Sequence, residues 1–439
     1  MTALKAFLNV RRSEAPFAAL MFLYFFLVIT VFWILKPVKK ALFVGYYGED
    51  TPLALGSWLL TGAEAEQLAK VANMVVAFGA VAVFTALARR LHRQQLTYVF
   101  AGFSALVLLA FVPLVRQPSD LSVWSLYLFG DLFNTLMVAT FFAFLNDSVA
   151  PEHTKRLYGP IILGGVAGGA FGSLVVAVNY KALSAEAWML ICAGLVVVIA
   201  LAAQQAGRRI LHRAPAAEGQ APGARGSAAL EGARLVFRSR YLLAIVAIVG
   251  LYEIVSTILD YQFTASVVHY LDEGERGQHF ATVGFVLNGL ALAVQIFLTS
   301  AVMSRLGVRA ALLIMPVVVL GNSGLFLVLP LLWIGSFLSI SDNALNYSIN
   351  QSARESLYTP TTRDEKYKAK AFIDMFVQRF AKSIAVGVNL ALAAVFGTFG
   401  AVRWLSLIAI ALVAVWLVAA SYAGRRFQAL TGSARAKES

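Results

Sequence analysis

The sequence predicts an all-α membrane protein built from twelve transmembrane helices. Of its 439 residues, 59% are hydrophobic and only 13% are charged, against roughly 25% charged in a soluble globular domain. An ordinary cytoplasmic enzyme is thereby excluded. The apolar residues fall in long runs, and about 20 of them in a helix cross the roughly 30 Å hydrocarbon core of a bilayer. The single cysteine, Cys192, lies inside such a run, which leaves no disulfide framework or cysteine metal cluster to organise the chain.

Six spans are read at 17–35, 68–87, 96–115, 123–146, 157–178 and 185–203. Six more follow at 241–268, 280–303, 310–329, 331–350, 372–396 and 401–422. The first is too long for the apolar core of a signal peptide and has no small-residue cleavage site before Lys36-Pro37, so it reads as a retained span. The expected organisation is an N-terminal six-helix bundle (1–203), a cytoplasmic linker (204–240), a C-terminal six-helix bundle (241–424) and a cytoplasmic tail (425–439). Basic loops resist translocation. Most of the 36 Lys and Arg residues gather in alternate connections, such as Arg89-Arg90, Arg208-Arg209 and Lys366 to Lys370, which predicts that both termini are cytoplasmic. The net charge of +13 is therefore mainly a topology signal; no aromatic-interleaved basic module points to a nucleic-acid polymer.

A 6+6 layout with a long inner linker is that of the major facilitator architecture. A faint repeat supports it, since Phe129-Gly-Asp131 of the fourth span resembles Ile340-Ser-Asp342 of the tenth. One offset carries Asp131 onto Asp342 and Lys155 onto Lys366. In the fifth span GGVAGGAFG contains overlapping small-xxx-small patterns, which read as close helix packing. No G-x-x-x-x-G-K-[ST] occurs, so ATP hydrolysis by a P-loop is excluded. The five histidines lack metal-ligand spacing, and no serine nucleophile elbow is present. Neither an enzyme nor a cofactor or metal site is expected.

Charged residues inside spans cost about 2.5–3.5 kcal/mol at a helix centre and generally face protein or a watery cavity. In the eleventh span Asp374, Gln378, Lys382 and Asn389 share one helical face, with Arg379 beside it. The seventh aligns Glu253, Thr257, Asp260 and Thr264. The fourth groups Asp131 and Thr135 with Asn134 at the flank, and the tenth aligns Ser339, Asp342, Asn346 and Asn350. Recurring stripes of this kind fit a translocation path. At the end of the first span, Lys36, Lys39 and Lys40 surround Pro37, which breaks or kinks a helix. These lysines either snorkel to headgroups or, with Arg379, Lys382 and Lys70, bind an anionic ligand.

These motifs resemble the nucleotide transporter family, the ATP/ADP antiporters of plastids and intracellular bacteria. LKPVKKALFV resembles that family's Leu-Lys-Pro-Met-Lys-Asp segment; LFGDLFNTLMVATFFAFLNDSV with TKRLYGP is similar to its fourth helix and the loop after it. LYTPTTRDEKYKAKAFIDMFVQRFAKS is similar to its eleventh-helix motif, with Arg379 and Lys382 in register. The resemblance runs from about Phe17 to Gly400. It implies exchange of ATP for ADP, proton-linked nucleotide import, or carriage of related adenine compounds. By motif, the functional charges would be Lys36 or Lys39, Asp131, Asp260, Arg379 and Lys382. Aspartate replaces the family's glutamate at 131 and 260, and Thr264 stands where the antiporters have lysine, so ATP/ADP exchange specifically does not follow.

The expectation is a secondary transporter whose halves rock around a midplane cavity. Lys36, Lys39, Arg379 and Lys382 would hold phosphate oxygens, with Asp131, Asn134, Asp260, Asp374 and Gln378 completing the substrate site. Asp131 or Asp260 would pair with Lys382 or Arg379 when the carrier is empty. The expected partners are an anionic nucleotide and membrane lipid, and a monomer is compatible with this reading. A proton-coupled carrier of another organic or phosphate anion and a non-transporting scaffold or receptor are the alternatives.

Overall fold

The computed structural model describes residues 11–48, 50–56, 58–149, 151–209, 225–362, 365–396 and 398–438. They are overwhelmingly helical. In chain order the first helices are α1 (Ala15–Tyr46), α2 (Gly62–Ala88), α3 (Arg93–Leu114), α4 (Asp120–Ser148), α5 (Pro151–Asn179) and α6 (Ala185–Gly207). Then come α7 (Arg225–Arg238), α8 (Arg240–Tyr270), α9 (Glu273–Ala293), α10 (Gly307–Val328), α11 (Leu332–Leu345), α12 (Gln378–Phe396) and α13 (Leu405–Glu438). Among the described residues eleven helical segments are long and apolar enough to cross a membrane. The tenth expected span is α11, only 14 residues long. It continues through a π-helical turn at Asn346–Asn350 into a short helix at Gln351–Ser356.

Three local departures from the sequence reading have physical causes. Leu53–Leu55 and Trp58–Leu60 form a small antiparallel hairpin between α1 and α2, turning at Gly56 with φ of 63°, a conformation that favours glycine. Second, α2 begins at Gly62, before the apolar run. Thr61 and Glu64 form a capping box there, with Glu64 Oε2 accepting from the Thr61 backbone N–H at 2.7 Å, so a polar first turn is stable. Third, of the expected 204–240 linker, residues 210–224 lie outside the described residues, and 225–238 are helix α7. The 425–439 segment, expected as a tail, continues α13 as far as Glu438.

The chain divides into two units, Met1–Gly219 with Leu271–Asn288, and Gln220–Tyr270 with Gly289–Ser439. In the first unit α1 is the hub, packing on α4, α5 and α6. The glycine motif of α5 provides the closest contact. A Cβ at Gly164 would lie 2.5 Å from the Phe22 carbonyl oxygen and one at Gly172 would lie 2.6 Å from that of Thr30, while Gly168 lies against the Phe26 carbonyl. Small-residue packing of α5 is thus realised on α1. Around it the aromatic core includes Phe25 stacked on Phe141 at 4.3 Å and Tyr24 edge-on to Phe141 at 5.1 Å. In the second unit α8 takes the hub position, packing on α11, α12 and α13. Every π-helical turn among the described residues lies in this unit; such turns insert a residue and re-aim the side chains beyond them.

Just ahead of α1, Glu14 is buried between the Arg156 guanidinium, 2.8 Å away, and His153 Nδ1 at 3.2 Å. Burial alone would push its carboxyl up. The Arg11 backbone N–H, Arg156 and His153 outweigh that effect and hold it below the ordinary carboxylate range.

Two tests follow from this packing. Gly168→Leu should lower thermal stability in detergent by the equivalent of about 1–3 kcal/mol through overpacking, whereas Gly79→Ala, where a Cβ meets nothing within 4 Å, should leave it unchanged. Glu14→Gln should be less stable than the parent at neutral pH. The lowered folded value of Glu14 contributes stability that is complete above the ordinary carboxylate range and is lost as pH falls through that lower value. The two melting curves should therefore converge on acidification.

Candidate functional site

The first unit gathers four lysines and two carboxylates where α1, α2 and α4 meet. Lys39 is 4% exposed, and its ammonium lies 2.7 Å from Asp131 Oδ1. It also donates to the Tyr127 carbonyl at 3.0 Å and stands 4.4 Å above the Tyr127 ring. Gly130 makes this reach possible, because a Cβ there would sit 2.6 Å from Lys39 Cδ. On the other side of Asp131, Asn73 Nδ2 donates to Oδ2. Asp131 itself is 42% exposed, so its pairing with a buried ammonium is open on one side.

A second carboxylate balances the neighbouring lysines. Glu66 is 1% exposed, with Lys40 Nζ at 3.2 Å and Lys70 Nζ at 3.5 Å. The Tyr127 hydroxyl donates to Glu66 Oε1 at 2.9 Å. Lys36 lies 4.3 Å over the Trp33 ring, where a cation is stabilised by the π face. Counting Lys36, Lys39, Lys40 and Lys70 against Glu66 and Asp131, this cluster carries a net positive charge. Asn134 lies on α4 one turn beyond Gly130, and its Oδ1 is buried without a hydrogen-bond partner.

The second unit has the opposite balance. Lys382 of α12, half-exposed, lies 3.4 Å from Glu253 of α8. Asp342 of α11 accepts a hydrogen bond from Ser256 at 2.7 Å, and Glu253 and Asp260 both act on it electrostatically. Asn389 of α12 donates to the Thr257 carbonyl at 3.5 Å. Arg379 is half-buried on α12. Gln378 donates to Asp374 at 3.4 Å, but Asp374 is exposed and lies among Lys370, Arg354 and Glu355. A π-helical turn at Ile373–Val377 precedes Gln378. Across it the rotation per residue is smaller than in an α-helix.

Thus Lys36, Lys39 and Asp131 come together in one unit and Asp260 and Lys382 in the other, while Asp374 and Gln378 stand towards the helix start. The partner of Lys382 is Glu253, not Asp260 or Asp131, and Lys39 is the partner of Asp131. Glu66, Asn73 and Tyr127 escaped the sequence reading. Glu66 and Lys70 are spaced i,i+4, which was the available signal; it was lost because the apolar run begins only at residue 68.

A profile of the TLC ATP/ADP transporter family matches residues 118–427, which include Asp131, Glu253, Asp260, Asp342 and Lys382. The chain belongs to the TLC ATP/ADP transporter family. Among curated relatives, ADP,ATP carrier protein 1 of Chlamydia pneumoniae is 24% identical over 214 residues, covering 44% of this chain and 42% of that protein. The corresponding protein of Chlamydia trachomatis serovar D is 23% identical over 220 residues, 45% and 42% of the two chains. The matches therefore span less than half the length of these relatives. In architecture the chain resembles the nucleoside transporter NupG, with a TM-score of 0.63, 14% identity and coverage of 96% and 99%. It also resembles a bacterial homologue of the human lysosomal transporter Spinster, with a TM-score of 0.63, 10% identity and coverage of 96% and 98%. The fold is multi-pass and major facilitator-like.

The Lys39–Asp131 pair of this TLC-family chain makes a stability prediction. Removing one partner of a buried pair costs about 3–5 kcal/mol, and the solvent contact of Asp131 puts Asp131→Asn at or below the lower end. Its melting temperature in detergent should fall, and adding Lys39→Met should recover part of the loss. Equal and additive losses would show that the two side chains are not coupled.

Proposed function

We propose that this chain is a secondary transporter that moves nucleotides, ATP and ADP or related phosphorylated adenine compounds, across a bacterial inner membrane by exchange, with both termini in the cytoplasm. The observation that carries the reading is the clustering of Lys39, Lys40 and Lys70 beside the carboxylates of Asp131 and Glu66, on helices long and apolar enough to cross a membrane. The family description supports the substrate class, as does the name ADP,ATP carrier protein 1 borne by the chlamydial relatives. The two six-helix bundles are taken as 1–203 and 241–424, joined by the 204–240 linker.

The mechanism rests on competition for cations. A lysine buried in a bundle needs an anion, and in the empty protein the anion is a side-chain carboxylate: Asp131 for Lys39, Glu66 for Lys40 and Lys70, Glu253 for Lys382. A triphosphate or diphosphate offers several anionic oxygens at once and displaces these carboxylates. Lys36, Lys39, Lys382 and Arg379 take the phosphate oxygens, Arg379 through its bidentate fork. Asp131 and Asp260 then turn to ribose and base or orient the cations, and Asn134, Gln378 and Asp374 supply further polar contacts. An empty carrier re-forms its ion pairs, while a loaded one has its cations neutralised by cargo. Exchange is favoured where an incoming nucleotide takes these cations more readily than the side-chain carboxylates do.

The test is uptake by purified protein in liposomes, using radiolabelled ATP, ADP, GTP and inorganic phosphate with and without internal counter-substrate. Saturable nucleotide uptake accelerated by internal nucleotide is expected. Lys382→Ala should lower its kcat/KM at least about tenfold, the equivalent of losing one charge-assisted hydrogen bond of about 1.5–3 kcal/mol. Absence of saturable flux for every nucleotide would overturn the reading. Uptake driven by a pH gradient with no need of counter-substrate would replace exchange with proton coupling.

A further inference from the structure

In the second unit one carboxylate, Asp342, is buried within the field of another, Glu253. Asp342 is 2% exposed on α11. Its Oδ2 accepts one hydrogen bond, from the neutral Ser256 hydroxyl at 2.7 Å, and its Oδ1 is buried with no hydrogen-bond partner. An ionised carboxylate in such a place needs two or three donors or a cation to offset its desolvation.

The groups facing it supply neither. From α8 come Tyr252, Glu253, Ser256 and Asp260, and two of these are like charges. From the turn that continues its own helix comes the Tyr347 hydroxyl, which feels Lys382, Asp342, Glu253 and Asp260 together. On α10, Asn322 is committed to Ser341, to which it donates at 2.6 Å. The cation from α12, Lys382, lies at Glu253.

We propose that Asp342 is a proton-binding site linked to the Glu253–Lys382 pair, so that an anionic ligand entering the protein brings a proton with it. This inference rests on the proposed nucleotide reading. When phosphate draws Lys382 from Glu253, the Glu253 carboxylate loses its cation and acts on Asp342 unscreened, and Asp342 Oδ1 accepts a proton from water. When Lys382 returns, the proton leaves. The step is a protonation of a carboxylate to a carboxylic acid, with no bond to the ligand made or broken. A proton fits the site better than a metal ion: a sodium-sized cation needs several oxygen ligands, and among the described residues Ser256 alone donates to this carboxylate. Linkage requires the reciprocal effect, tighter nucleotide binding at lower pH, by up to about tenfold per pH unit for one linked proton.

The experiment measures proton uptake on adding ATP or ADP to detergent-solubilised full chain in weak buffer with a pH-indicator dye, together with nucleotide affinity across pH. The parent protein should take up more protons per bound nucleotide than Asp342→Asn, and the pH dependence of affinity should be shallower in the variant. Comparison with Asp342→Asn in the same buffers removes the titration of the nucleotide's own phosphates. Ser256→Ala, which takes away the donor to the ionised form, should shift the midpoint of uptake to higher pH and so tests the site even if Asp342→Asn does not fold. Equal proton uptake in the parent and Asp342→Asn, or an unmoved midpoint in Ser256→Ala, would overturn the proposal. So would an affinity that follows sodium against choline at fixed pH and loses this dependence in Asp342→Asn. Nucleotide binding that fails altogether would overturn the transport reading instead.

Discussion

The lysines set among these helices lie beside carboxylates, and that pairing requirement shapes the site. An isolated ammonium or carboxylate inside a membrane bundle is costly. Lys39 meets it with Asp131, Lys40 and Lys70 meet it with Glu66, and Lys382 meets it with Glu253. The pairing explains features of the sequence that look unrelated. Gly130 leaves room for the Lys39 stem, the polar first turn of α2 brings Glu66 within reach of two lysines, and Tyr127 uses its carbonyl, ring and hydroxyl on the same network.

Such pairs are poor sources of net stability, since burying both partners sacrifices much hydration. Their value lies in being exchangeable. An anion with several oxygens can take the place of a carboxylate without leaving a bare cation behind, whereas an apolar core at the same position could not be opened by any ligand. The two units divide the work unequally. The first carries excess positive charge, suited to phosphate. The second carries excess negative charge around Asp342, suited to a proton.

Much of this was legible in the sequence because membrane crossing leaves a strong signal: length and hydropathy alone mark nearly every span, and the glycine repeat of α5 announced its close approach to α1. Asp131 and Lys39 were legible as charges out of place in apolar runs. Which charge pairs with which was not, because partners lie on different helices and the choice depends on helix register. Glu66 was missed since it precedes the apolar run, although a capping box extends the helix over it. The π-helical turn at Ile373–Val377 was not legible either, because a uniform helical wheel cannot represent it. The tenth span is marked weakly because Ser339, Ser341, Asp342, Asn343 and Asn346 lower its hydropathy, although its helix runs on through a π-helical turn to Ser356.

The central claim is that carboxylates and phosphate compete for the same cations. Affinities of adenosine, AMP, ADP and ATP for the parent and for Asp131→Asn, compared at one ionic strength, test it most directly. Competition predicts that the variant binds ATP about tenfold or more tightly, equivalent to about 1.4 kcal/mol, with a gain that shrinks as phosphates are removed and vanishes for adenosine. An affinity that falls by the same factor for all four ligands, with no gain that grows with the number of phosphates, would contradict it, showing that Asp131 does not hold the place of a phosphate.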